Sequence, residues 1–97
     1  MSETHWNFLS NHGRTLLCIA HDPGARLRDI AEAVSLTERR AHDIVTDLTS
    51  AGYVVKTKEG RRNHYTIQSH MPLRDDAASN RTIGELLRLL TGSEDQR

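Results

Sequence analysis

The run Leu27–Gly52, LRDIAEAVSLTERRAHDIVTDLTSAG, constrains this chain more than any other stretch. Leu27, Ile30, Ala31 and Val34 recur at three- and four-residue spacing, as do Ala41, Ile44, Val45, Leu48 and Ala51. Each set builds one apolar face on a helix. Ser35-Leu36 separates them, and the Thr37 hydroxyl is placed to cap the second helix. Gly52 stands where a left-handed residue would stop it. Two helices joined by a tight turn are the reading.

The flanking sequence supplies the rest of a small domain. Ser10 or Asn11 can start an earlier helix, with Leu16, Leu17 and Ala20, and Leu9 and Gly13 one turn before, as its packing face; Asp22-Pro23-Gly24 ends it. Behind the central pair, Tyr53-Val54-Val55 and Asn63–Ile67 read as two strands around a Glu59-Gly60 turn. Residues 68–80 read as a loop. Thr82 and Glu85 then have capping-box spacing before a leucine-rich helix that stops at Gly92. The fold class is mainly α with a small β-hairpin (α+β): a three-helix core, a hairpin and a C-terminal helix. Residues 1–92 form one domain, and 93–97 are a flexible tail. The 97 residues allow one modest core.

The polar face of the second helix carries Glu38, Arg39, Arg40, His42, Asp43 and Thr46, with Thr37 at its start. Arginine can donate in pairs to guanine, and the other side chains can pair with further base edges. The hairpin carries Lys56, Lys58, Arg61 and Arg62 against Glu59 alone, a local excess of three positive charges in a chain of zero formal charge. A basic ribbon directly behind two turn-joined helices suits backbone contact by the ribbon and base contact by the helix. Lys56, Lys58, Arg61, Arg62 and His64 are the backbone or minor-groove candidates. The acids on the helix and the neutral total keep a rival open: the same surface binding a protein.

Trp6 and Phe8, with Ile83, Leu86, Leu87, Leu89 and Leu90, supply more apolar surface than one small core uses. They are expected to form a two-fold dimer interface. Cys18, flanked by Leu17, Ile19 and Ala20, reads as a structural thiol. A single cysteine and no visible secretory leader point to the cytoplasm. No apolar run is long enough for a membrane span. His5, His12, His21, His42, His64 and His70 show no zinc-like spacing, so neither metal nor cofactor is expected. No catalytic constellation stands out, and no substrate pocket is expected beside so small a core.

The run from His12 to Ile67 resembles the winged helix-turn-helix domain of transcriptional regulators of the ArsR and MarR type. The resemblance rests on LRDIAEAVSLTERRAHDIVTDLTSAGYV and on the hairpin EGRRNHYTI, in which Gly60, Arg61, Arg62 and Tyr65 match. It implies double-stranded DNA as partner, read at a pseudo-palindromic operator by a homodimer joined through its terminal segments. Ser35 stands where the family usually has glycine, and Arg28 where a serine or threonine cap is usual. The cysteine pair of the metal-sensing branch is absent from the first helix of the motif. Whether a small effector acts is left open.

Overall fold

The computed structural model describes residues 6–78 and 80–92. Its elements are α1 (Asn11–His21), α2 (Leu27–Ala33), α3 (Glu38–Ser50), β1 (Val54–Glu59), β2 (Arg62–Ile67), a 3-10 turn at Asp76–Ala78 and α4 (Ile83–Thr91). The expected tail at 93–97 lies outside the described residues.

Helices α2 and α3 form the predicted pair, and both end the same way. At α3, Gly52 adopts φ 88°, Gly52 N–H donates to Thr49 O, and Tyr53 N–H donates to Leu48 O. These two bonds define a Schellman motif. At α2, Ser35 N–H donates to Glu32 O at 3.2 Å and Leu36 N–H to Ala31 O at 2.8 Å, which places Ser35 at the left-handed position with φ 59°. The turn that lacks the usual glycine thus keeps its geometry and puts a serine into it. Thr37 Oγ1 accepts from Arg40 N–H at 3.0 Å and starts α3. The uncapped helix start is at Arg26, not Arg28: Arg26 precedes α2 and makes no side-chain cap bond.

Ala41, Ile44, Val45 and Leu48 of α3 are buried with Ile30 and Ala31 of α2, as their spacing requires. Helix α1, capped by Ser10, is rotated from expectation. It buries Thr15, Leu16 and Ile19, while Leu17 and Ala20 are only half-buried. Because α1 packs on α2, α3 and α4, the line it shares with all three sets its inner face. Leu9 covers part of the other side, 3.6 Å from where a Gly13 β-carbon would stand. Thr15 Oγ1 is fully buried and, among the described residues, has no hydrogen-bond partner.

The stretch after β2 is more ordered than a loop. Ser69 O and Met71 O accept the N–H groups of Gly84 and Ile83, and Leu73 N–H donates to Arg81 O. Tyr53 Oη donates to Pro72 O at 2.5 Å. The first N–H groups of α4, which have no partner inside the helix, are thereby satisfied by this segment and by the Thr82–Glu85 capping box. Gly84 makes the approach feasible, since a β-carbon there would stand 2.6 Å from Ser69 Cβ.

Candidate nucleic-acid interface

At 3.6 residues per turn, Arg39, Asp43, Thr46 and Ser50 follow one another along the line of α3 opposite its buried row. Glu38, Arg39, Arg40, His42, Asp43 and Thr46 are all exposed, so the core uses none of them. They do not form one patch. Arg39, Asp43 and Thr46 project outward, with Glu38 and His42 on one flank. Arg40 lies on the other flank with Asp47, whose Oδ2 is 2.8 Å from His12 Nε2 of α1. Arg39 is therefore the more central arginine. His42 Nδ1 stands 3.9 Å from Asp43 Oδ1.

The hairpin strands are longer than expected and the turn is one residue later. Glu59 pairs with Arg62, leaving Gly60-Arg61 as a two-residue loop with φ +67° at Gly60. Glycine at the first loop position suits the twist of a tight hairpin. Directly paired residues share a face, so Lys56 and Lys58 lie on the side of Tyr65 and Asn63, while Arg62, His64 and Thr66 lie on the other. Arg61 is at the turn, and the basic residues are thus divided between both faces and the tip. Tyr65 is buried beneath the ribbon; burial pushes its phenol pKa up, against a smaller lowering by a hydrogen bond with Asn63.

Arg62 is exposed yet engaged: its guanidinium donates to Gly24 O in the loop between α1 and α2. Tyr65 N–H donates to Pro23 O in the same loop at 2.9 Å. No side-chain pattern announces these acceptors, because both are backbone carbonyls.

Residues 10–55 match the family model described as winged helix-turn-helix DNA-binding. The fold is a winged helix-turn-helix. The matched segment runs from the cap of α1 to the second residue of β1 and includes all of α3, the recognition helix of such domains. Most of the wing and all of α4 lie beyond it. No curated protein matches the chain.

The residues expected at a dimer contact separate into two groups. Ile83 and Leu87 are buried in the core of the chain. There they dock α4 on α1. Leu86 is half-buried, whereas Leu89 and Leu90 are 74 % and 42 % exposed. Trp6 and Phe8 are also exposed and meet edge to face with ring centroids 5.1 Å apart. Two open surface grooves, of about 650 and 510 Å³, are formed by the described residues. The first lies among α1, β2 and α4; the second is lined by Phe8, Leu17, Cys18 and Val34 among others. Burial, with Asp22 and Asp29 adding to it, pushes the Cys18 thiol pKa up, which disfavours the reactive thiolate. Among the described residues, no three metal-binding side chains gather, and no helix is long and apolar enough to cross a membrane.

Proposed function

We propose that the protein is a DNA-binding transcriptional regulator of the ArsR/MarR type that acts in the cytoplasm as a homodimer. In this reading α3 enters the major groove, with Thr37, Glu38, Arg39, Arg40, His42, Asp43 and Thr46 toward base edges or nearby phosphates. The wing lies on the backbone or minor groove through Lys56, Lys58 and Arg61, with His64 beside them. The observation that carries the reading is the outward line Arg39-Asp43-Thr46, left free by the core on a helix inside the segment that matches DNA-binding domains. Leu89, Leu90, Trp6 and Phe8 are the apolar surface offered to the second copy. Two-fold symmetry then asks for a pseudo-palindromic operator with half-sites about one helical turn apart. No catalytic role is assigned.

Fluorescence anisotropy with a random duplex at two ionic strengths tests the partner. A DNA binder gives association that weakens steeply with salt. Absence of binding at low salt would favour the rival protein-binding module, which the acids Glu38, Asp43 and Asp47 on α3 also suit. Selection of bound duplexes from a random pool then returns the operator. On that operator, Arg39→Ala is expected to relax discrimination at one base pair by roughly 1–3 kcal/mol.

A further inference from the structure

Two successive carbonyls of the loop between α1 and α2 are taken up by the wing. Pro23 O accepts from Tyr65 N–H at 2.9 Å, and Gly24 O accepts from the Arg62 guanidinium. Tyr65 N–H is available because Gln68 N–H donates to Tyr53 O, which sets the phase of the ladder and makes Lys56–Tyr65 a pair that exchanges no bonds. The loop is braced in turn. Gly24 N–H donates to Asp22 Oδ1 at 3.3 Å and Ala25 N–H to Asp22 O at 3.0 Å.

A two-stranded hairpin is marginal by itself, so its direction depends on what ties it to the helices. Tyr65 pins the half of β2 nearest the core. Toward the tip, among the described residues, Arg62 makes the hydrogen bond that ties β2 to the body. Arg62 is also on the face opposite Lys56 and Lys58 and next to the Gly60-Arg61 turn. A planar guanidinium with several fixed donors suits a carbonyl held at a set angle.

We propose that Arg62 is a wing-positioning residue: it latches the tip-ward half of β2 to the α1–α2 loop and does not neutralise a DNA phosphate. By sequence alone Arg62 is one more phosphate contact. Its structural half is a property of the free protein, and only its second half rests on the DNA-binding function proposed above.

The test uses the full chain carrying Arg62→Ala, a substitution at an exposed site. In the free protein, hydrogen exchange of the Tyr65 amide is expected to accelerate at least tenfold, and the Gly60-Arg61 tip to lose order in nitrogen-15 relaxation. With the selected duplex, affinity falls at every salt concentration while the slope of log K against log salt stays at the wild-type value. A slope lower by about one unit, the mark of a lost phosphate contact, overturns the proposal, and so does unchanged protection of Tyr65. If the wild-type protein binds no duplex at low salt, the DNA reading fails and the exchange measurement alone decides the latch.

Discussion

A serine at φ 59° carries a β-carbon where the left-handed backbone disfavours one. Glycine removes that strain but adds freedom to the unfolded chain. Ser35→Gly is therefore expected to stabilise the fold by about 0.5–1 kcal/mol, raising the melting temperature by a few degrees. Ser35→Ala, which keeps the β-carbon, gives no such gain; equal melting temperatures for both variants would contradict the assignment. Thr15 offers a second case. Its hydroxyl is fully buried with no partner among the described residues, and Thr15→Val replaces it with a methyl of similar shape. A gain of about 1 kcal/mol in urea denaturation is expected. The two residues differ in legibility. Ser35 is conspicuous because a turn signal lacks its glycine, whereas a threonine in a helix reads the same whether its hydroxyl faces water or the core.

Among the elements, α4 depends most visibly on a single carboxylate. The Thr82 backbone N–H donates to Glu85 and, with Arg81 and the Thr82 hydroxyl assisting, holds its pKa below the ordinary 4.5. A carboxyl group whose pKa is lower in the folded state stabilises above its unfolded value, and that share is lost as pH falls through the folded value. Between pH 6 and pH 3 the amides at the start of α4 should lose protection, and Glu85→Gln should flatten that response. An unaltered acid limb in the variant would count against the cap. This cap, the one at Thr37 and the stop at Gly92 were legible because the interacting groups lie within a few residues of each other. The inner face of α1 was not, because three helices and the 6–9 segment surround it and leave no clean stripe. The wing is legible in the sequence, but its turn lies one residue later than the Glu59-Gly60 pair suggests. Its register follows from which residues the core buries, Val54 and Tyr65, more than from the Glu59-Gly60 pair. The ordering of 69–73 leaves no side-chain pattern because it runs largely through backbone carbonyls.

For the whole molecule, composition conceals arrangement. A chain with zero formal charge places four of its 13 lysines and arginines on the wing against Glu59 alone, while α3 carries both signs, so the net value is a poor guide to partner. The apolar residues divide in the same way: Ile83 and Leu87 face inward, Leu89 and Leu90 outward. If the outward pair joins two copies, Leu89→Lys with Leu90→Lys should halve the mass in sedimentation equilibrium while leaving the melting profile of the protomer nearly unchanged. A wild-type protein that sediments as one chain would remove the homodimer from the proposal. The helix and the wing are legible in the sequence, but the contact of Arg62 with Gly24 O is not, because its acceptor is a backbone carbonyl far away in the chain.

The hairpin leaves one flank open. Where Pro23 occupies the outer side of β2, that of β1 has no neighbouring strand among the described residues, and such rims invite another chain to add to the sheet. Lys56 and Lys58 stand along that rim, so a second hairpin approaching in register would bring ammonium groups together. The same lysines that give the wing its charge should then act as gatekeepers against fibrillar stacking. Neutralising both should shorten the lag before aggregation in concentrated solution, a liability separate from any loss of grip on a ligand.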